Sequence, residues 1–147
     1  MRVYIDICVL NRPFDDQGRL IVALQTQAKF AIQEAIRRRS IELAWSFMLD
    51  YENSANPLEE RRVFVESWRD YAVVDLDLSP EVRDWAKELA ELGLHSKDAF
   101  HVASARKASC KFFVTTDRRI LKMGAFGDVE IVDPIMFLEA IEEITDD

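Results

Sequence analysis

Five short apolar runs alternate with stretches of helical periodicity along this chain, and no other feature restricts the fold as much. The runs are residues 2–6 (RVYID), 41–45 (IELAW), 72–78 (AVVDLDL), 111–116 (KFFVTT) and 129–132 (VEIV). A helix between consecutive strands carries the chain back across a sheet, so the strands are expected to be parallel. The first and fourth runs are apolar without alternation, as strands covered on both faces are. The fold class is therefore α/β, a parallel sheet between helical layers.

The intervening segments read as helices. Leu20, Ile21, Leu24, Ala28, Ala31, Ile32, Ala35 and Ile36 recur at helical spacing and predict a long amphipathic helix whose buried face they form. Ser46 is a good N-cap for the helix SFMLDYENSA, and Pro57 suits the first turn of a following helix through Tyr71. Ser79, Pro80 and Gly93 bracket another helix with the expected start and stop residues. Helices are also expected over SKDAFHVASARKA, DRRILKM and DPIMFLEAIEEI.

The 147 residues suit one domain, 1–147, and 49% are hydrophobic, enough to fill a core. No run of ~18 apolar residues is present, and Asp6 interrupts the apolar start well short of a signal sequence. Cys8 and Cys110 form no CxxC pair, which argues against a zinc site and a disulfide framework. A cytoplasmic protein without a membrane segment is expected. The net charge of −8 is the wrong sign for a general nucleic-acid binder. The basic residues cluster locally, however, at Arg37–Arg39, Arg61–Arg62, Arg106–Lys107 and Arg118–Arg119.

Acids fall where the strands end. Asp6 closes the first strand, Asp117 follows the fourth, Asp98 opens a helix, and Glu52 lies on the helix after the second strand. In a parallel sheet these ends share one edge, where ligands bind. A buried carboxylate is costly without a partner, and several together repel unless cations bind or protons are taken up at raised pKa. Oxygen-only ligands select hard ions such as Mg²⁺ or Mn²⁺. Two such ions ~4 Å apart can activate water and stabilise the leaving oxygen of a phosphodiester. Each acid also has a plainer reading: Asp117 as a helix cap, Asp98 as a helix-dipole partner, Glu52 as a surface residue, and Asp6 as a structural acceptor. His101 reads as a packed, hydrogen-bonded histidine, and Trp45, Trp68 and Trp85 as core or half-buried residues. No Ser/His/Asp arrangement and no Gly-rich phosphate loop is present. A phosphoacceptor domain would need a Lys just after the fifth strand, where this chain has VDPIMF.

Together, YIDICVLNRPFDD, KDAFHVASA, FFVTTDRRIL and VEIVDPIMFLEAI resemble, in order, the segments of the PIN-domain family of ribonucleases. The resemblance implies a three-layer α/β/α fold with a five-stranded parallel sheet in the order 3-2-1-4-5. It also implies Mg²⁺- or Mn²⁺-dependent endonucleolytic cleavage of RNA, with Asp6, Glu52, Asp98 and Asp117 as catalytic and metal-holding acids. Thr115 matches the family's hydroxyl position, and Cys8 and Arg12 would stand beside the acids. Glu42 and Asp50 compete with Glu52 for its place. The chain departs from the family at Ile7, where Thr is common, and at Cys8, where Asn or Ser is common. A chain filled by such a domain is similar to the toxins of VapBC-type toxin–antitoxin pairs. That likeness implies a homodimer and a cognate antitoxin that places a basic side chain among the acids. Val63, Phe64, Val65 and Trp68 are candidates for the dimer face or, more simply, for the core. A catalytically weak or silent PIN-like module acting through a protein partner is the alternative.

Overall fold

The computed structural model describes residues 1–145. Its sheet is built on β1 (Arg2–Ile5), β2 (Glu42–Ser46), β3 (Ala72–Leu76), β4 (Phe112–Val114), β5 (Ala125–Phe126) and β6 (Val129–Val132). The spatial order is β3-β2-β1-β4-β6-β5. The five expected strands are all parallel and keep the expected order, and β5 is an addition. The sheet is thus six-stranded rather than five-stranded, because Ala125–Phe126 turns back through Gly127 and pairs antiparallel with β6. Gly127 has φ +61°, and a side chain there would run into Arg106.

The helices are α1 (Ile7–Leu10), α2 (Leu20–Arg37), α3 (Phe47–Ser54), α4 (Glu59–Glu66), α5 (Pro80–Glu91), α6 (Ser96–Lys107), α7 (Arg118–Leu121) and α8 (Pro134–Thr145). α5 packs on α6 and α2 on α8, and the two pairs supply the outer layers of an α/β/α sandwich. α4 begins after Pro57 rather than on it, and its expected continuation is a 3-10 segment, Ser67–Tyr71. Ser79 caps α5 by accepting the Val82 N–H at 3.2 Å. Gly93 follows that helix at φ +108°, a conformation that side chains rarely tolerate.

β1 and β4 lie side by side in the centre, with Ile5 opposite Val114. Val3, Tyr4, Ile5, Phe112, Phe113 and Val114 are all buried, as strands covered on both faces should be. Trp45 and Trp68 are buried and Trp85 half-buried. Val65 and Trp68 belong to the core, whereas Val63 is 59% exposed.

α2 departs from its expected face. Leu20, Ile21 and Leu24 project outward, at 74%, 45% and 47% exposure. The buried stripe is Val22, Gln25, Thr26, Ala28, Lys29, Ile32, Gln33 and Ile36. The helix is rotated toward polar contacts: Arg12 Nε donates to Gln25 Oε1 at 2.9 Å, and Lys29 lies among aromatic rings of α2, α4 and the 3-10 segment.

Candidate active site

The chain leaves β1 at Asp6 through a hydrogen bond from its N–H to Val114 O at 2.9 Å, and leaves β4 through Thr115 N–H to Val132 O at 2.9 Å. The two exits are therefore neighbours. Asp6 caps α1, with Oδ1 accepting the Ile7 N–H at 2.8 Å. Its Oδ2 accepts the Thr115 hydroxyl at 2.8 Å and faces Cys8 Sγ at 3.4 Å. Thr115 Oγ1 in turn accepts the Asp117 N–H at 3.0 Å. One buried hydroxyl thus joins the first strand's acid to the backbone of the fourth strand's acid.

Asp117 caps α7, its Oδ1 accepting the Arg119 N–H at 2.8 Å. Burial, and then the charge of Asp6, pushes the Cys8 thiol up to about 12, so it remains a protonated donor. The Thr116 N–H points to the same sulfur at 3.4 Å. Arg12 is occupied by Gln25 and by Asp15 at 3.0 Å rather than by the acids.

Asp98 sits in the first turn of α6. Burial first, and then the charges of Asp6, Asp117 and Glu52, push its carboxyl up to about 6 against the opposing effect of His101. Acids from three other segments therefore act on Asp98 across the carboxyl edge of the sheet. Glu52 lies on α3 and accepts from buried His101, with Nε2 2.6 Å from Oε1. The competing acids go elsewhere. Asp50 accepts the Trp45 indole N–H at 2.9 Å and pairs with Arg69, and Glu42 pairs with Arg2 at the opposite end of the sheet.

Glu52 also lines a cleft of about 410 Å³ with Asn11, Asn56, Arg61 and Lys97. Lys97 was not singled out from the sequence, although it directly precedes Asp98. His95 contacts Arg119 across the mouth of this edge.

The residue pattern described as the PIN domain matches residues 3–125. The chain belongs to the PIN domain family. Two solved structures share its fold. A chain of VapBC2 from Rickettsia felis, solved with a DNA fragment of its promoter, is 14% identical with a TM-score of 0.57, covering 89% of this chain and 97% of its own. A chain of VapBC-1 from nontypeable Haemophilus influenzae is 13% identical with a TM-score of 0.53, covering 92% and 99%. No curated protein matches the sequence.

Within this PIN domain the donors have the chemistry of a hard-cation site, since all four acids offer oxygen. Among the described residues, no three His, Cys, Asp or Glu side chains stand close enough to hold one ion together. Among the described residues, no helix is long and apolar enough to cross a membrane.

Proposed function

We propose that this PIN-domain protein is the toxin-type member of a toxin–antitoxin pair, and that its acidic cleft hydrolyses RNA phosphodiester bonds with the help of Mg²⁺ or Mn²⁺. The observation that supports this reading is the placement of Asp6, Asp98, Asp117 and Glu52 along the carboxyl edge of the sheet, where burial first, and then the charges of the other three acids, raise the Asp98 carboxyl to about 6. Like charges gathered at such a cost to stability mark a site that something positive completes.

Asp6, fixed by Ile7, Thr115 and Cys8, would supply the rigid acid. Asp98, Asp117 and Glu52 would complete the set. A bound cation would neutralise charge on the scissile phosphate and activate water. Arg61 and Lys97 line the same cleft as Glu52 and would face the RNA backbone. An antitoxin would silence this edge by placing a basic side chain among the acids, with the pair and a toxin homodimer in the cytoplasm.

A second reading is a weak or silent module that acts by binding its protein partner. As the side chains stand, it has the firmer geometric support. No three ligating side chains converge among the described residues, and Glu52 is already engaged by His101.

One pair of measurements separates the readings: calorimetric titration with Mn²⁺, and cleavage of defined RNAs with and without chelator, for the wild type and Asp6→Asn. The nuclease reading expects Mn²⁺ binding and chelator-sensitive cleavage, with cleavage lost in the variant while its circular dichroism is unchanged. Absence of specific Mn²⁺ heat, or equal cleavage by both proteins, leaves the partner-binding reading.

A further inference from the structure

The Glu52 carboxylate is the outer end of a chain of side chains that runs back into the centre of the sheet. His101 Nε2 lies 2.6 Å from Glu52 Oε1, and His101 Nδ1 lies 2.6 Å from Tyr4 Oη. Tyr4 Oη lies 2.6 Å from Ser46 Oγ. Tyr4, Ser46 and His101 are each 0% exposed, so water does not substitute for any of these partners. They come from β1, β2 and α6, and the acid they reach is on α3.

The direction of the chain follows from what each group can do. An ionised carboxylate only accepts, so the Nε2 facing Glu52 carries the proton. The Nδ1 of a neutral imidazole then accepts, and the Tyr4 hydroxyl must donate to it. The Tyr4 oxygen is left to accept from the Ser46 hydroxyl. Ser46 Oγ also accepts the Met48 N–H at 3.3 Å, capping α3, the helix that carries Glu52. Tyr4 Oη and Ser46 Oγ thus each donate once and accept once along the chain.

Packing removes the remaining freedom. Tyr4 stacks on Phe113 at 5.3 Å between ring centroids, and His101 meets the Tyr4 ring edge-on at 5.6 Å. A flipped imidazole would break both of its hydrogen bonds. One oxygen of Glu52 is thereby pinned, while Oε2 takes no part in the chain.

We propose that Ser46, Tyr4 and His101 are positioning residues that hold His101 as the Nε2–H tautomer and fix the Glu52 side chain in one rotamer, leaving Oε2 for the cleft. The use of that oxygen by a cation rests on the nuclease reading; the tautomer and rotamer do not. Partners of this kind, one shell behind a ligand, typically change metal affinity by about 10- to 100-fold when removed.

The test is Tyr4→Phe, which removes one hydroxyl and keeps the ring stack. Three readouts are compared with wild type: the ¹⁵N shifts of the His101 ring, the side-chain couplings of Glu52, and Mn²⁺ affinity. Wild type should show a protonated Nε2, a bare Nδ1 and one Glu52 rotamer. Tyr4→Phe should keep the proton on Nε2, leave Nδ1 without its donor, average the Glu52 rotamer and weaken Mn²⁺ by about tenfold. His101→Gln, which retains both a donor and an acceptor, should keep the Glu52 rotamer, and His101→Leu should release it. This pair decides the matter if Tyr4→Phe does not fold. An imidazolium or Nδ1–H form in wild type overturns the proposal, as does an unchanged Glu52 rotamer in both Tyr4→Phe and His101→Leu. Wild type that binds no Mn²⁺ but shows the expected tautomer and rotamer ends the nuclease reading and leaves the positioning chain standing.

Discussion

Two regions of the molecule bury charge, and they do so in opposite ways. At the carboxyl edge of β1 and β4, Asp6 is 4% exposed and is met by a backbone N–H, a hydroxyl and a thiol. Beneath α4, Lys29 is 1% exposed and its ammonium has no hydrogen-bond partner among the described residues. Its neighbours are instead the rings of Phe64 at 4.6 Å, Phe30 at 5.3 Å and Trp68 at 5.8 Å. Asp6 is met by three donors, whereas ring faces compensate a buried cation only in part. Burial lowers Lys29 to about 7. A buried ionisable group thus becomes a candidate site when polar partners meet it and it stands at the carboxyl edge of the sheet. Lys29 satisfies neither condition and reads as a cost to stability.

The largest predicted effect tests that cost. The folded pKa of Lys29 lies below the unfolded value of about 10.4, so between about pH 7 and 10 the unfolded chain binds more protons. This group therefore makes stability rise with pH across that window, by at most about 1.4 kcal/mol per unit, and below it the penalty is constant. Lys29→Met keeps the length and apolar body of the side chain and should stabilise the protein by about 1–4 kcal/mol at pH 7. Urea denaturation of both proteins from pH 6 to 10 checks this. The gap should close as the pH rises, and a gap that stays constant would show that Lys29 is not a strained cation.

The acidic edge should respond in the opposite direction when its support is removed. Thr115→Val deletes the hydroxyl that donates to Asp6 and accepts from the Asp117 N–H. Two polar groups lose a partner, at a cost of about 1–3 kcal/mol in urea unfolding. A change within a few tenths of a kcal/mol would mean that water takes over both roles, and the contrast with Lys29 would weaken.

The same contrast explains what could be read from the sequence. Asp6 and Asp117 were legible because acids directly after apolar strands must lie at the sheet's ligand edge. β1 and β4 were legible because unbroken apolar runs have few other uses. β5 was not, since two residues carry no periodicity and their pairing depends on the turn through Gly127. The buried face of α2 was misread because apolar spacing placed Leu20, Ile21 and Leu24 inward, while Arg12 and the aromatic rings draw Gln25 and Lys29 in instead. The preference for Glu52 over Asp50 came from the family resemblance and not from periodicity or spacing. It depends on which acid faces His101 and which faces Trp45 and Arg69, and both acids lie on one short helix.

The smallest predicted effect is the most discriminating for the acidic edge. Asp98 has a folded pKa of about 6, above the unfolded carboxylate value of about 3.9. Between these values the folded state binds more protons, so the stability that a protonated Asp98 contributes is full below about pH 4 and lost as the pH rises to about 6. At pH 7 the carboxylate is charged, and its burial first, then the charges of Asp6, Asp117 and Glu52, count against it. Asp98→Asn should therefore be more stable than wild type by about 1 kcal/mol at pH 7, a value reduced for the partial exposure of the group, and indistinguishable from it below pH 4. Added Mg²⁺ should narrow the difference at pH 7 by stabilising wild type alone, since a cation that binds only the folded acids shifts unfolding by mass action. Thermal melts at both pH values, with and without Mg²⁺, measure all four quantities. A variant no more stable than wild type at pH 7 would mean that neither burial nor the neighbouring acids strain the Asp98 carboxylate. A stabilised variant with no Mg²⁺ response in wild type would keep the repulsion and favour a basic side chain from a protein partner, rather than a cation, as what relieves it.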